Sequence, residues 1–273
     1  APYQNAGVVE NRGWELSASY RDQVGDFRYG LVLMLSDVKN KILDMKGSKT
    51  TGLNVNFEGY PIGSLYGYEA AGYFKDAADV AKNPTQFGNV AAGDIKYNNS
   101  DGDKTTISET DQTIIGSIIP RYTYSANIDL GYKGFDFSLF LQGVGKADGY
   151  MSGRGVMPFW NGGTALEMHK DHWTPGNTDA AFPRLAYGEI NNIQHSSFWM
   201  RNAAYMRIKN IQLGYTFNQA TPGIIRSLRV YISAQNLFTF DNFWPGYDVE
   251  APVTSDYQSA GWYPQMKVVS GGV

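Results

Sequence analysis

Cysteine is missing from this chain of 273 residues, and charged residues are scarce. Without cysteine the protein has no disulfide framework and no thiol nucleophile. Aspartate, glutamate, lysine and arginine make up 18% of the residues, whereas soluble globular proteins average about 25%. The net charge of −3 provides no basic surface, so we expect no nucleic-acid partner. This surface carries less charge than contact with water usually demands.

Long apolar runs are also missing. No stretch of about 18 apolar residues occurs, so the sequence predicts no transmembrane helix. The mean hydropathy of −0.35 is typical of a soluble protein, but it does not exclude a transmembrane barrel. Each strand of such a barrel turns only half of its residues toward lipid, and its long loops are polar.

Motifs for covalent chemistry are equally scarce. The sequence has no Gly-x-Ser-x-Gly elbow, no His-Glu-x-x-His pair and no phosphate-binding glycine loop. The paired carboxylates of Asp101 and Asp103 belong to a predicted turn and do not face each other across a cleft, as glycoside hydrolysis would require. We therefore expect that the protein is not an enzyme.

Polar and apolar residues alternate in several stretches, which is typical of strands with two different faces. From Arg121 to Tyr132, the even-numbered positions are aromatic or aliphatic, and the odd-numbered positions are polar or glycine. Lys133-Gly134 then predicts a two-residue hairpin turn. Further alternating strands begin near Asn11, Phe27, Phe135, Tyr205 and Ser227, and a last one begins near Met266. The sequence therefore predicts seven strands.

The predicted connections alternate between short and long. The short ones lie near 21–26, at 133–134 and near 218–227, and the long ones span 38–120, 146–203 and 240–263. Bacterial outer-membrane barrels have short periplasmic turns and long extracellular loops in strict succession. The strands starting near Asn11, Arg121 and Tyr205 are then predicted to run toward the periplasm. Those starting near Phe27, Phe135 and Ser227 are predicted to run outward. The fold class predicted is all-β: an antiparallel transmembrane β-barrel in contact with outer-membrane lipid.

Aromatic residues cluster beside the short turns, which supports the membrane interpretation. Tyr20, Phe27 and Tyr29 flank the first turn, Tyr132, Phe135 and Phe137 flank the second, and Tyr215 and Phe217 precede the third. Amphipathic rings are enriched at the headgroup level of a bilayer. The alternative is that these rings form the core of a soluble β-sandwich, because alternation alone does not distinguish lipid from a second protein layer.

Seven strands are an odd number, whereas bacterial single-chain barrels have an even number. An open sheet edge is also not tolerated in lipid. We therefore expect residues 1–273 to be the C-terminal part of a larger barrel, with about 7–8 of its strands. Further strands are expected to precede Ala1.

Several stretches, in this order, resemble the SusC/RagA family of TonB-linked outer-membrane transporters. They are Gly93–Tyr97, Asp101–Asp103, Asp111–Gly116 with Pro120, the strand pair Tyr122–Leu141 centred on Tyr132–Asp136, Trp173–Asn177, Pro183-Arg184, Arg207–Tyr215, Ser233–Thr239 and Gly246–Glu250. Each stretch is short, and their order and spacing carry the resemblance.

The resemblance implies a barrel of about 22 strands, the size of plugged outer-membrane transporters. It further implies an N-terminal plug domain, a segment that contacts the TonB complex, and a SusD-like surface lipoprotein that covers the barrel. Members import oligosaccharides or peptides that are too large for porins. The present chain departs from the family pattern because it contains neither the plug domain nor the TonB-contacting segment.

Two groups of polar residues are candidates for metal binding. Asp101 and Asp103 lie in an acidic turn whose oxygen atoms suit Ca²⁺, but the spacing does not match an EF-hand loop. An Asx turn without metal is the alternative. His169 and His172 have the spacing of a metal pair on a helix, but no third ligand is near in sequence. We expect no cofactor, with Ca²⁺ near Asp101 as the remaining candidate.

The long predicted loops contain many aromatic residues, which stack on sugar faces or peptide side chains in binding sites. The alternative is that these rings pack the loops onto one another. Trp160 and Trp173 are the candidates for ligand contact. We expect a TonB-energised importer of oligosaccharides or peptides, acting with a SusD-like lipoprotein. A passive porin and a soluble β-rich carbohydrate-binding module remain as alternatives.

Overall fold

One sheet of seven consecutive strands carries three long loops, each with small elements of its own. The structure, a computed structural model, describes residues 7–48, 50–221, 225–251, 253 and 262–273. The first elements are β1 (Val8–Val24), β2 (Phe27–Asp44), β3 (Asn54–Val55), β4 (Ser64–Gly67), β5 (Ala70–Tyr73), α1 (Ala77–Lys82), β6 (Ile95–Tyr97) and β7 (Thr113–Ser117). They are followed by β8 (Arg121–Tyr132), β9 (Phe135–Lys146), β10 (Asp148–Tyr150), β11 (Met200–Asn202), β12 (Tyr205–Thr221), β13 (Ile225–Gln235), β14 (Thr239–Asp241) and β15 (Val268–Gly272).

Short 3₁₀ helices occur only in the loops of the described chain, at Glu109–Asp111, Trp160–Gly162, Glu167–Lys170 and Ser197–Trp199. None of the described helices is long and apolar enough to cross a bilayer.

The main sheet is antiparallel, and its strands follow the chain without a crossover. Its order is β1-β2-β8-β9-β12-β13-β15, and the short β14 pairs with the start of β12. This order confirms the seven predicted strands. The turn at Lys133-Gly134 is also confirmed, because both residues have positive φ angles, 43° and 89°, as a type I′ hairpin turn requires.

The pairing register gives the sheet one apolar face and one polar face. One row of directly paired residues crosses all seven strands on the apolar face and consists of Tyr20, Leu31, Ile128, Leu139, Ile211, Ala234 and Val269. The next row lies on the polar face and consists of Arg21, Gly30, Asp129, Ser138, Gln212, Ser233 and Ser270. Successive residues of a strand point to opposite faces, so a shift of one residue in any strand would exchange the two rows.

No second layer covers the apolar face in the described part of the chain. Leu16, Leu33, Leu213 and Ile232 are all exposed, with Leu213 at 48% and Ile232 at 56% of their full accessible surface. A soluble β-sandwich would bury such residues against a second sheet. The structure therefore contradicts the sandwich alternative for this sheet.

Aromatic side chains form a band on the apolar face beside the short turns. Phe27 and Tyr29 stack with ring centroids 5.7 Å apart, and Phe135 and Tyr215 lie 4.5 Å apart on adjacent strands. The hydroxyl group of Tyr20 donates a hydrogen bond to Asp22, 3.0 Å away. The predicted band is thus present as a contiguous set of rings that carry polar groups at the level of the turns.

Several predicted strand boundaries were wrong by a few residues. Strand β2 continues to Asp44, whereas the first long loop was predicted to begin at residue 38, and β1 continues to Val24. The last strand begins at Val268, just after the predicted start at Met266. The β1–β2 ladder extends beyond the stretch of clear alternation, because backbone hydrogen bonds continue where side chains become polar on both faces. The third short turn includes residues 222–224, which lie outside the described residues.

The buried hydrophobic core of the described chain lies in the loops and not under the sheet. We call residues 45–120 the first loop, 147–204 the second loop and 236–267 the third loop. The core includes Leu65 and Tyr97 from the first loop, Met157 and Trp199 from the second, and Trp244 from the third. The three loops therefore fold together into one loop body at the end of the sheet opposite the short turns.

Candidate functional site

Most aromatic residues of the long loops are packed against one another. Trp199 is fully buried, and its indole N–H donates a hydrogen bond to the carbonyl oxygen of Asn192, 2.9 Å away. The rings of Trp199 and Trp244 stack with centroids 6.2 Å apart. The guanidinium group of Arg201 lies 4.2 Å from the centroid of the Trp244 ring. The packing interpretation is therefore confirmed for Trp199 and Trp244.

Trp173, one of the two candidates for ligand contact, is also part of this packing. Its side chain is 8% exposed, and its ring packs directly against the backbone of Gly93 in the first loop. Its backbone N–H donates to the carbonyl oxygen of Phe182 at 2.9 Å. The structure assigns Trp173 a role in joining two loops, and little of its surface is available to a ligand.

A buried polar cluster joins the first loop to the second. Asp94 is fully buried and accepts hydrogen bonds from Arg184 at 2.7 Å and from Asn192 at 2.8 Å. Asn192 in turn accepts a hydrogen bond from the backbone N–H of Ile95 at 2.9 Å. Buried charges are stable only when they are paired and hydrogen-bonded. Two of the stretches that carry the family resemblance, Gly93–Tyr97 and Pro183-Arg184, therefore meet in space.

A second buried ion pair joins the third loop to the sheet. Arg207 lies on the polar face of β12 with only 2% of its side chain exposed. It pairs with Asp248 at 2.9 Å and with Glu250 at 2.6 Å, and its Nε donates to the hydroxyl group of Thr239 at 2.9 Å. Arg207–Tyr215, Ser233–Thr239 and Gly246–Glu250 are thus also brought together. In the sequence these residues stand out only as members of motifs, and no local pattern predicts their ion pairs.

Trp160, the other candidate, lies beside an open cavity on the surface of the second loop. This cavity, of about 350 Å³, is lined by Arg154, Met157, Trp160, Asn161, Gly162, Gly163, Thr164 and Leu166. Trp160 is half-buried, so part of its ring is packed and part is accessible. The residues on either side, Phe159 and Asn161, both have positive φ angles, of 59° and 49°, a conformation that non-glycine residues adopt at a cost of about 1–3 kcal/mol. A ligand role for Trp160 stays a prediction.

A second aromatic cavity, of about 450 Å³, opens nearby in the loop body. It is lined by Met168, Pro245, Gly246, Tyr247, Trp262, Tyr263 and Pro264. Tyr263 is 84% exposed. The hydroxyl group of Tyr247 donates to the carbonyl oxygen of Gly155 at 2.8 Å, so this cavity and the one at Trp160 flank the same turn of the second loop. No pattern in the sequence marks Trp262 or Tyr263 as candidates for ligand contact.

The acidic turn of the first loop uses its carboxylates to hold its own backbone. Asp111 accepts from the backbone N–H groups of Ser100 and Ser108 at 2.7 and 2.9 Å, and Asp103 accepts from the hydroxyl group of Thr106 at 2.7 Å. Burial raises the pKa of the Asp111 carboxyl group, but the backbone N–H donors outweigh burial and place this pKa below its ordinary value. The arrangement is that of an Asx turn.

No cluster of three or more potential metal ligands occurs in the part of the chain that the structure describes. Calcium at Asp101 and Asp103 stays a prediction without geometric support. His169 and His172 also do not converge on a shared point. The imidazole Nδ1 of His169 accepts from the backbone N–H of Leu166 at 2.8 Å, while its Nε2 donates to the carbonyl oxygen of Val156 at 2.8 Å. Both nitrogen atoms of His169 are thus occupied.

The polar face of the sheet has its own cavity near the short turns, of about 670 Å³. Its lining includes Arg21, Arg28, Asp129, Asp136 and Gln212. The carboxylate of Asp136 pairs with Arg229 at 2.6 Å. This face combines both signs of charge and presents polar groups to the cavity.

Comparison with known proteins identifies relatives along nearly the whole chain. TonB-dependent receptor P3 of Formosa agariphila is 28% identical over an alignment of 295 residues, gaps included. The alignment covers 99% of this chain and 29% of the receptor. TonB-dependent receptor P26 of the same organism is also 28% identical, over 88% of this chain and 26% of that receptor. The chain therefore spans less than a third of the length of these relatives. No family profile matches the sequence.

A solved structure shows the same fold. The structure of the RagAB peptide transporter superposes with a TM-score of 0.74 over 98% of this chain and 29% of the solved chain, at 23% sequence identity. This likeness concerns the fold. It confirms that the seven-stranded sheet matches a segment of an antiparallel β-barrel.

Proposed function

We propose that this chain, which is similar to TonB-dependent receptors along nearly its whole length and shares the fold of the RagAB peptide transporter, belongs to a transporter of the SusC/RagA kind and forms part of the wall and the outer loops of an importer in the bacterial outer membrane. The whole protein would be energised through the TonB complex. The chain itself would line the path of the substrate and hold the loops that first contact it.

The bare apolar face of the sheet is the observation that carries this proposal. A row of apolar residues crosses seven strands without interruption, and the aromatic band lies at the end of the sheet that has the short turns. Transmembrane barrels have an outward apolar band about 25 Å tall between girdles of aromatic residues. Acyl chains would cover this face in the membrane.

The loop body would act at the extracellular mouth. Its core closes over the polar face of the strand ends, where Tyr205 and Arg207 are buried. The accessible aromatic cavities at Trp160 and at Trp262 are the parts of this body suited to capture a substrate. The related solved assembly is named a peptide transporter, and the family resemblance also includes importers of oligosaccharides. Oligosaccharides or peptides are therefore the proposed substrates.

We expect two protein partners. A SusD-like lipoprotein would cover the loop body, and the TonB complex would contact the whole protein through a part of it that the present 273 residues do not contain. Substrate capture by the loops and the lipoprotein would precede displacement of the plug domain. No residue of this chain would form or break a covalent bond in that cycle.

The two faces of β8, an interior strand of the sheet, provide the test. Ile128 belongs to the apolar row, and the adjacent Asn127 points to the polar face. In the full-length protein, we expect Ile128→Arg to impair assembly into the outer membrane, because an arginine on the lipid face near the midplane costs about 2–4 kcal/mol. The matched variant Asn127→Arg should assemble normally. The measurement is the fraction of folded, heat-modifiable protein in purified outer membranes.

Equal tolerance of the two substitutions would contradict the lipid-facing assignment and favour a soluble β-rich carbohydrate-binding module. A passive porin is distinguished by energy dependence. Uptake of substrate should stop when TonB is deleted or when the proton gradient across the inner membrane is dissipated, whereas uptake through a porin would continue.

A further inference from the structure

Arg154 stands out because it is the single exposed residue in a buried segment of the second loop. Met151, Ser152 and Gly153 before it are buried, and Gly155, Val156 and Met157 after it are buried as well. Its guanidinium group forms no ion pair in the part of the chain that the structure describes. A cationic side chain with no carboxylate partner, placed at the edge of an aromatic cavity, is available to an anionic ligand.

The backbone on both sides of Arg154 is held by hydrogen bonds. The N–H of Met157 donates to the carbonyl oxygen of Gly153 at 2.9 Å. The carbonyl oxygen of Gly155 accepts from the hydroxyl group of Tyr247 at 2.8 Å, and that of Val156 accepts from His169 at 2.8 Å. The base of the arginine is therefore fixed by contacts from two loops. Such pre-organisation reduces the ordering cost of binding.

The cavity beside Arg154 offers the contacts that a sugar ring uses. Trp160 supplies an aromatic face, and the side chains of Asn161 and Thr164 supply hydrogen-bonding groups within the same lining. The adjacent glycines, Gly162 and Gly163, leave the backbone accessible. Aromatic stacking on the apolar face of a ring, together with a few polar groups that fix its orientation, is typical of small-ligand sites.

An extended peptide would need different features. Peptides that bind in extended form usually add a strand to an exposed sheet edge. The lining of this cavity consists of the turn at 153–157, the 3₁₀ helix Trp160–Gly162 and the residues that follow it, so it offers no strand edge. The observations therefore favour a cyclic, hydroxyl-bearing ligand over a peptide backbone.

We propose that Arg154 and Trp160 form a subsite for an acidic oligosaccharide. The Trp160 ring would stack on one sugar, and the Arg154 guanidinium group would form a bidentate hydrogen-bonded pair with the carboxylate of a uronic acid residue. Arginine suits this role because its planar fork matches a carboxylate. This inference rests on the proposed function, since it assigns a substrate class to the outer loops of the importer.

The test compares a charged ligand with its neutral counterpart. The full-length protein in detergent is titrated with an oligogalacturonate and with the same oligosaccharide after methyl esterification, which neutralises each carboxylate and adds a methyl group to it. The wild type should bind the charged form more tightly. Arg154→Gln should weaken binding of the charged form about 10- to 100-fold, the effect of losing a charged hydrogen-bonded pair, and leave binding of the ester nearly unchanged.

Two further variants separate local from general effects. Lys104→Gln removes one positive charge from an exposed position of the first loop and should leave both affinities within about threefold, because exposed charges are screened by salt. Trp160→Ala should weaken binding of both ligands, since stacking does not depend on the carboxylate. Intact heat-modifiability of each variant shows that the barrel is still folded.

Three outcomes would overturn the inference. They are an unchanged preference for the charged form in Arg154→Gln, no binding of oligogalacturonate by the wild type, and Arg154-dependent binding of an acidic peptide in its place. None of them contradicts import as such, because TonB-dependent uptake of another substrate would continue. If instead neither uptake nor outer-membrane assembly is found, the proposed function itself fails.

Discussion

Arg207 shows how single buried charges determine the position of a whole loop. With 2% of its side chain exposed, it holds both Asp248 and Glu250. The pKa of the Asp248 carboxyl group is raised by burial, but hydrogen bonds from the Glu250 backbone and from Arg207 outweigh this effect and lower it overall. The ion pairs of Arg207 therefore reinforce the attachment of the third loop to β12, where the backbone of β14 also pairs with the strand.

We expect Arg207→Ala to loosen the third loop around Asp248 and Glu250. Removing one partner of a buried ion pair leaves an uncompensated charge and costs about 3–5 kcal/mol. Hydrogen exchange of the amides in residues 239–251 should accelerate strongly in the full-length variant. Arg229→Ala serves as the control. The Arg229–Asp136 pair is partly exposed, with 36% and 40% of the two side chains accessible, so its loss should change hydrogen exchange far less. Unchanged exchange in Arg207→Ala would contradict this assignment.

His169 gives the loop body a dependence on pH. Burial lowers the pKa of its imidazole below the ordinary value, and this effect exceeds the opposing hydrogen bond to Val156. Protonation also requires Nδ1 to give up the hydrogen bond that it accepts from Leu166. Because the folded-state pKa lies below the unfolded value of about 6.5, the stabilisation is complete above that pH and is lost as the pH falls below it.

Protection of the turn at 153–157 against hydrogen exchange should therefore decrease between about pH 7 and pH 5, across the unfolded-state pKa of histidine. His169→Gln should show a smaller decrease, because glutamine does not titrate. His195 contributes in the same direction, since burial lowers its pKa as well, so the double variant His169→Gln/His195→Asn should show the smallest decrease. An identical pH profile in wild type and double variant would exclude both histidines as the cause.

At the scale of elements, glycine positions in the sheet let arginine side chains lie flat on the polar face. The arginines at 21 and 28 pass over Gly30 and Gly131 of the neighbouring strands. On β12, a Cβ atom at position 214 would lie 2.6 Å from the guanidinium nitrogen of Arg229 and 2.7 Å from the carboxylate oxygens of Asp136. Close backbone approach is a usual reason for glycine within a strand.

We expect Gly214→Ala to displace the Arg229–Asp136 pair and to destabilise the barrel by at most about 1 kcal/mol, because the contacted atoms are the ends of partly exposed side chains. Unfolding by urea in detergent micelles, followed by the heat-modifiable band, measures this loss. Gly176→Ala is a suitable control, because a Cβ atom there would meet nothing within 4 Å. Comparable stability of the two variants would show that Arg229 moves aside freely.

At the scale of the whole molecule, the described chain is divided into an uncovered sheet and a self-packed loop body. The sheet exposes apolar side chains on one face, whereas the loops bury their own core of residues such as Tyr68, Met157 and Trp199. Contact with water is thus unfavourable for the apolar face of the sheet and favourable for the surface of the loop body. Contiguous exposed apolar patches of this size mark membrane or protein interfaces.

The present 273-residue chain, produced alone, should consequently aggregate in the absence of detergent. Size-exclusion chromatography with light scattering should show large particles in buffer and a defined protein–detergent complex above the critical micelle concentration. A monodisperse protein without detergent, with a cooperative thermal transition, would contradict the outward assignment of the apolar face. The same measurement on Leu213→Lys/Ile232→Lys, which adds charge to that face, should show reduced aggregation.

The sequence by itself determined the strands and their two faces. Alternation is a local property of each strand. The alternating stretch Arg121–Tyr132 predicted a strand, and β8 has the same bounds in the structure. The hairpin at Lys133-Gly134 was equally predictable, because its backbone conformation is set by two adjacent residues. Alternation did not determine where strands end beyond the apolar band, as at Asp44 of β2, since the ladder continues there through backbone hydrogen bonds.

Only the tertiary structure decided what the alternating faces contact and what the loop residues do. An apolar strand face has the same sequence pattern under lipid and under a second sheet, and the pairing register across seven strands was needed to show a single uncovered layer. Trp160 and Trp173 are indistinguishable as sequence signals, yet one borders a cavity and the other packs on Gly93. Contacts such as Arg207 with Asp248 join residues 41 positions apart, and no local pattern encodes such distant pairs.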